Sequence, residues 1–483
     1  MMTNNTIRLA VMASLALMIQ GCAIPFINTK NADAQLPVTY TQETNVAQTS
    51  NEASAAKLDW HDFFDDPNLQ SLIDTAIKNN KEVNILAQRI SMAANEIQAR
   101  KGEYKPFVSI GAGAEVEKSG RYTRNGAVEE QLEIKEDKAF PDPLPNYQFG
   151  LQASWELDVW KKLRNATQVA VMEYMASQEG QRFLITNLVA EIGNAYYELV
   201  ALDNQLVNLD QNISIQQNAL AATKELKQYA RASALAVKRF EAEVKKNESL
   251  RYVIKQKQVE IENRVNFLLG RTSQPIARSS DGFMTLQPKV LATGLPSELL
   301  ENRPDIRQAE LELKAAKLNI KVAKANFYPS FSIGANVGFQ AFNPKYLLNL
   351  PTSLAYTLGG EVVAPLINRN AITAVYKNAS ASQIKAAYEY EQSIINAYTE
   401  VSNQMANIDN LEKNYQLKQV QVDALNESTE IANQLFKAAR AEYLEILLTQ
   451  REVLEAKSEL IETKKKQMSA MINLYRSLGG GWR

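Results

Sequence analysis

Two kinds of hydrophobic periodicity divide the chain. Over residues 185–213 the apolar side chains Ile185, Leu188, Ile192, Ala195, Leu199, Leu202, Leu206, Leu209 and Ile213 recur in steps of three and four, the 3.5-residue period of a coiled-coil seam. Ile394, Tyr398, Val401, Met405, Ile408, Tyr415 and Val422 repeat that spacing more loosely, so both segments are expected to supercoil left-handed. All 15 prolines fall outside residues 146–274 and 366–483, and glycine is nearly absent from both windows. Long helices are therefore permitted there. A helix over residues 163–228 would be about 100 Å long at 1.5 Å per residue, a rod that no compact domain needs.

Four other segments switch to period two. Val108, Ile110, Ala112, Ala114 and Val116 alternate with Ser109, Gly111, Gly113 and Glu115, and residues 147–157 and 331–339 alternate in the same way. Leu354, Tyr356 and Leu358 complete the set. One apolar and one polar face over about 10 residues is the pattern of a transmembrane β-barrel strand. Val108, Ile110, Phe149, Leu151, Trp155, Phe331, Ile333 and Tyr356 are the expected lipid-facing positions, with outer membrane lipid as their partner. Four strands cannot close a barrel, and an open edge is not tolerated in lipid, so several chains must join. Eight strands from two chains would be nearly filled by side chains, whereas 12 strands from three leave a lumen. The small and polar inward residues favour three.

The two halves repeat each other in order. Residues Pro106–Ala112 match Pro329–Ala335 at an offset of 223, Arg164-Asn165-Ala166 matches Arg369-Asn370-Ala371 at 205, Asn194-Ala195-Tyr196 matches Asn396-Ala397-Tyr398 at 202, and Ala230-Arg231-Ala232 matches Ala439-Arg440-Ala441 at 209. Four matches in register indicate an internal duplication. The fall from 223 to 205 places 18 extra residues between the first two strands, in a stretch holding Pro141, Pro143 and Pro145; an exposed loop is expected there.

Composition narrows the chemistry. The 483 residues carry 53 Lys+Arg against 54 Asp+Glu, a net charge of -1, which lacks the basic footprint of a nucleic-acid binder. One Cys and one His, His61, exclude multi-ligand Cys/His metal sites and most nucleophile–base pairs. No metal, cofactor or catalytic residue is expected, and the chain does not read as an enzyme. His61 beside Trp60 reads as structural, and carboxylates such as Glu241, Glu243 and Glu260 read as solvated helix faces.

Residues 1–21 hold one charge, Arg8, and an apolar run from Leu9 to Ile19, which is a secretory signal in layout and too short to span a membrane. The run ends in Ile19-Gln20-Gly21-Cys22, which resembles the lipobox of bacterial lipoproteins and makes Cys22 the expected lipidation site. Ala23 follows the Cys, where an Asp would resemble an inner-membrane retention signal; the resemblance implies the outer membrane of a Gram-negative bacterium. Residues 22–57, rich in Asn, Thr, Gln, Ala and Ser beyond Asn28, are expected to be a tether.

Three groups of residues carry a wider resemblance: Trp60, Phe63-Phe64, Asp66-Pro67, Leu69 and Leu72; then Leu295-Pro296-Ser297, Leu299-Leu300, Arg303-Pro304-Asp305-Ile306 and Ala309-Glu310; and Leu478-Gly479-Gly480-Gly481-Trp482. Together they resemble the outer membrane factor family of TolC-like channels, in its lipoprotein branch. The resemblance implies a mainly α fold with a transmembrane β-barrel: a homotrimer with a 12-stranded outer membrane barrel, a long periplasmic α-helical coiled-coil barrel and a mixed belt. It also implies a periplasmic adaptor protein and an inner-membrane transporter of the resistance-nodulation-division type as partners in efflux. The expected domains are a first repeat over 58–270, a connector over 271–302 and a second repeat over 303–483. The descending helix 163–231 is expected to be matched by 235–269 continued by 305–326, and 370–438 by 442–477 continued by 69–101.

The family's hairpin tips commonly carry Gly followed by a pattern like Tyr-Leu-x-x-Leu-Asp-Ala-Gln-Arg, and this chain reads Tyr443-Leu444-Glu445-Ile446-Leu447-Leu448-Thr449-Gln450-Arg451. Ala230 and Ala439 stand where Gly is expected, so looser turns are expected. With Arg231 and Arg440 they are the candidate adaptor-docking residues. Leu448 stands where the pattern has Asp, so Leu444 and Leu448 from three subunits would close the tunnel by dewetting, with Arg451 pairing across helices. The resulting reading is a passive, gated exit duct for drugs or other small toxic compounds. A pore-free periplasmic scaffold and a lipid-anchored enzyme are the competing classes, and protein secretion and metal-ion efflux remain open within transport.

Overall fold

The computed structural model describes residues 24–33, 35–40, 54–135, 137–438 and 440–483. In chain order the elements are α1 (Trp60–Phe63), α2 (Pro67–Asn79), α3 (Lys81–Glu103), β1 (Phe107–Glu117), α4 (Arg124–Gln131), β2 (Glu133–Lys135), β3 (Lys138–Ala139), β4 (Leu144–Leu157), α5 (Lys162–Gln228) and α6 (Ala234–Leu268). The second half adds α7 (Leu299–Asn302), α8 (Pro304–Ala325), β5 (Ser330–Ala341), β6 (Leu354–Val363), α9 (Asn370–Lys437) and α10 (Tyr443–Leu478). The proline-free windows do become long helices: α5 has 67 residues and α9 has 68. No helix among the described residues is long and apolar enough to cross a membrane.

By contacts the chain forms two compact units, each drawing on both halves of the duplication. One takes the described part of Met1–Asn31 with Met92–Tyr174 and Leu311–Ala387; the other takes the described part of Ala32–Ser91 with Met175–Glu310 and Tyr388–Arg483. The first unit holds the four-stranded antiparallel sheet, ordered β1-β4-β5-β6. Its central pair, β4 with β5, joins the two repeats.

The second unit holds the helical core. The expected seam is buried: Leu188, Ile192, Ala195, Leu199, Leu202, Leu209 and Ile213 in the first copy, and Ile394, Val401, Met405 and Val422 in the second. The Trp60–Phe64 motif is part of that core, with Phe63 stacked on Tyr475 at 4.1 Å. Asp66 caps α2 through Asn68 N–H and accepts from Tyr196 OH at 2.5 Å. A carboxylate held by a buried phenol and a helix N-terminus gives the short motif a fixed place.

Candidate channel wall and gate

The sheet register aligns the alternation of every strand. Ile110 pairs with Leu151, which pairs with Val337, which pairs with Tyr356, and all four side chains share one face and are exposed. Val108, Phe149, Trp155, Phe331 and Ile333 fall on the same face by their pairings. The neighbouring row, Ser109, Gln152, Asn336 and Thr357, lies on the other face. That face is paved with small and amide residues, among them Gly111, Gly150 and Gly338. Gly150 and Gly338 face each other so closely that a Cβ on either would come within 2.4–2.5 Å of a carbonyl oxygen of the opposite strand. The outer strands β1 and β6 each pair on one side only among the described residues.

Glu156 and Glu361 share a level on the polar face, one strand apart across Ser332, and Lys162 pairs with Glu156. They lie at the end of the sheet where the strands join helices. At the other end the first hairpin connection, expected as an exposed loop, carries the helix α4 and the β2–β3 pair, and Phe140 packs edge-on against Phe342 of the second connection at 6.3 Å.

In the second unit the chain must turn at helix ends, and it uses one device repeatedly. The Schellman closure pairs the two N–H groups beyond a helix with carbonyls of its last turn and needs a left-handed residue. At the end of α6, Gly270 (φ 67°) donates to Phe267 O at 2.9 Å and Arg271 to Asn266 O at 3.1 Å. At the end of α10, Gly479 (φ 98°) donates to Arg476 O at 2.9 Å and Gly480 to Tyr475 O at 3.1 Å. A Cβ would lie 2.4 Å from Asn79 O at Gly270 and 2.6 Å from Asn302 O at Gly479, so close backbone packing demands glycine there.

These contacts correct the expected helix partners. Asn80 donates its side-chain amide to Leu268 O at the end of α6, 2.9 Å, while its Oδ1 accepts from Val83 N–H in the first turn of α3. One side chain thus caps two helices, and α6 is continued by α3. In the second copy Arg303 caps only the preceding helix, donating to Ser477 O at 2.8 Å immediately before α8 begins, while Asp305 Oδ1 accepts from Ile306 N–H in the first turn of α8 at 3.0 Å. The returning helices are therefore continued by α3 and α8, opposite to the assignment that chain order suggested. Arg303 also forms a two-point bond to Asp305 (3.0 and 2.6 Å) and reaches Glu400 at 2.8 Å. These carboxylates hold its pKa up against burial.

At the tip of the first hairpin the structure overturns the expectation of a looser turn. Ala230 adopts φ 55°, and its N–H bonds Lys227 O at 3.0 Å while Arg231 N–H bonds Leu226 O at 2.8 Å. The Schellman closure is complete with alanine at its left-handed position. Arg440 N–H makes the matching bond to Leu435 O at 2.9 Å; Ala439 lies outside the described residues. Ser233 then caps α6 through Ala236 N–H.

On α10, Ile446, Leu447 and Gln450 face the interior, Leu444 is half-buried and Leu448 is exposed. Leu448 therefore sits on the side of the helix left uncovered by its own chain. Arg451 pairs with Glu455 one turn along its own helix at 3.2 Å, and among the described residues no bridge from it to another helix is seen. His61 stacks on Trp60 at 3.5 Å and meets Asp59 at 3.0 Å, the structural place expected for it.

Cys22 and the signal segment lie outside the described residues. The segment after them was expected to be a tether, but its described residues are attached to α9. In the first unit Ile24 and Ile27 pack on Ala323, Phe327 and Tyr376, and Lys30 exchanges backbone bonds with the Gln383 amide at 3.0 and 2.6 Å. In the second, Asp33 N–H bonds Glu391 at 2.8 Å and Tyr40 stacks on Tyr398 at 5.6 Å. The anchors Ile24 and Ile27 lie in one short apolar run before Asn28, and Tyr40 stands more than ten residues further on, so the polar composition of the stretch as a whole hides them.

Comparison with known proteins places this geometry. The model of outer membrane efflux proteins matches residues 72–271 and 295–480. The toluene efflux pump outer membrane protein TtgC of Pseudomonas putida is 28% identical over 493 residues, covering 100% of this chain and 96% of that protein. The antibiotic efflux pump outer membrane protein ArpC of Pseudomonas putida is 27% identical over 492 residues, with the same coverage. Among solved structures, the outer-membrane channel OprN superposes with a TM-score of 0.82 at 22% identity, covering 95% of this chain and 99% of that one. The open-state MtrE channel of Neisseria gonorrhoeae also gives 0.82 at 22% identity, covering 95% and 98%.

Proposed function

The chain belongs to the outer membrane efflux protein family and is an outer membrane efflux channel, and from that premise we propose that three copies close their sheets into one 12-stranded barrel through which small toxic organic compounds leave the cell. The observation that carries this is the sheet itself: four strands in register, one face apolar and exposed, the other small and polar, with both edges unpaired among the described residues. In lipid those edges must pair, and pairing β6 of one copy with β1 of the next leaves none open.

In this assembly Val108, Ile110, Phe149, Leu151, Trp155, Phe331, Ile333 and Tyr356 face lipid. Cys22 carries the acyl chains, and two residues further on Ile24 is seated beside Phe327, three residues before β5 begins. With acyl chains attached two residues before Ile24, the helix end of the sheet is the end turned towards the periplasm. The tips around Ala230, Arg231, Ala439 and Arg440 meet a periplasmic adaptor, and an inner-membrane transporter supplies the energy. Leu444 and Leu448 of three copies form an apolar constriction that opens by wetting.

Single-channel conductance of the lipidated protein in planar bilayers tests this reading. Wild type should open rarely, and Leu444→Ser with Leu448→Ser should conduct strongly. High conductance in both places the gate elsewhere, and none in either removes the channel reading.

A further inference from the structure

The two hairpins are built alike but not packed alike. At the tip offset of 209, Gln216 and Asn247 of the first hairpin correspond to Leu425 and Ala456 of the second. In the second hairpin Ala456 is buried with Val422 and Leu460, and Leu425 packs against them, so this layer is apolar. In the first, Asn247 and Gln216 are fully buried and face each other, with Asn247 Nδ2 donating to Gln216 Oε1 at 2.8 Å.

Two further amides extend this layer onto the gate helix. Asn212, one turn before Gln216 on α5, donates its Nδ2 towards Gln450 O on α10 at 3.4 Å, and the Gln450 side chain is itself buried. Gln450 is two residues from Leu448. Gln216 Nε2, Asn212 Oδ1 and Gln450 Oε1 find no hydrogen-bond partner among the described residues. One donor and two acceptors are thus buried with unmet capacity, a costly arrangement in a protein interior.

Apolar packing bounds the layer on both sides. Away from the tip lie Leu202, Leu209, Ile213, Ile254 and Leu454. Towards it lie Phe240, Val244 and Ile446. Separating an apolar layer exposes hydrocarbon with nothing returned. Separating this layer lets water satisfy three groups that the packed state leaves unmet.

We propose that the amide layer of Asn212, Gln216, Asn247 and Gln450 is the place where the tip segment of α10, residues 443–450, parts from α5 and α6, making Gln216 and Asn247 positioning residues for the leucine gate. The consequence at the pore rests on the gate reading given above; the location of the weak layer does not. The rest of α10, held by the apolar cluster around Leu454, stays in place while Leu444 and Leu448 move.

Amide hydrogen exchange by mass spectrometry on the full-length, lipid-reconstituted protein tests the layer directly. Gln216→Leu with Asn247→Ala copies the second hairpin into the first; exchange over residues 443–450 should slow on the order of tenfold while residues 460–478 are unchanged. Added to Leu444→Ser and Leu448→Ser, the same pair should lower the open conductance severalfold. The reciprocal variant, Leu425→Gln with Ala456→Asn, should speed exchange at the end of α9, and it decides the matter if the first pair does not assemble. Unchanged exchange over 443–450, or equal slowing along all of α10, overturns the proposal. If the serine variant leaves conductance at the wild-type level, the gate reading fails, and the exchange result still decides the amide layer.

Discussion

Ala230→Gly should make the protein's first hairpin tip more stable, although glycine usually loosens a helix. The left-handed conformation costs an alanine about 1–2 kcal/mol, and Ala230 holds it at φ 55° with both Schellman bonds formed. Glycine removes that strain and returns about 0.4–1 kcal/mol in greater unfolded-state freedom. The net gain is roughly 0.5–1 kcal/mol, equivalent to about a two- to fivefold smaller population of the locally opened tip. Trypsin reads that population, because Lys227 and Arg231 flank the turn and are exposed and cleavage follows the open fraction when reclosing is fast.

The opposite substitution, Gly479→Ala, calibrates the argument. There a Cβ adds the left-handed strain to a 2.6 Å approach to Asn302 O, for a loss of about 3 kcal/mol or more and little assembled protein. Faster tryptic cleavage in Ala230→Gly, or normal assembly of Gly479→Ala, would refute the reasoning, because both follow from the same closure in different surroundings.

Leu151→Arg, on the apolar face of β4, should cost about 2–4 kcal/mol in lipid and abolish outer membrane assembly, whereas Gln152→Arg, one residue on and facing the other way, should assemble and alter ion selectivity in bilayer recordings. Arg303→Met removes the cap on Ser477 O and leaves Asp305 and Glu400 without their shared cation; since Glu400 is 42% exposed, water relieves part of the penalty and a loss of about 2–4 kcal/mol is expected, read as faster heat dissociation of the assembled protein. Lys464 is buried, with its ammonium 4.9 Å from the Tyr415 ring, and burial lowers its pKa from the ordinary lysine value. Between the lowered and the ordinary value the unfolded chain holds the extra proton, so stability rises with pH across that window. Unfolding measured from about pH 8 to about pH 10 should show that rise in wild type and a smaller one in Lys464→Met.

Local repetition makes much of the molecule legible in the sequence. A 3.5-residue spacing of Leu and Ile between prolines can only be a long buried helix seam, and alternation from Val108 to Val116 can only be a strand with two unlike faces, because side-chain direction follows backbone geometry within a few residues. The duplication and the face assignments of the sheet follow from the same local rules. Periodicity states which face is buried and leaves open what buries it. That choice belonged to tertiary structure: Asn80 and Arg303 select α3 and α8 as the continuations of α6 and α10 by capping particular carbonyls across more than 170 residues of chain. In sequence Ala230 reads as an obstacle to a tight turn, yet the hairpin holds it left-handed because two backbone bonds and the packed helices outweigh about 1–2 kcal/mol of strain. The Gln216–Asn247 pair looks like ordinary helix surface in sequence, and only the approach of α5, α6 and α10 turns it into a buried layer.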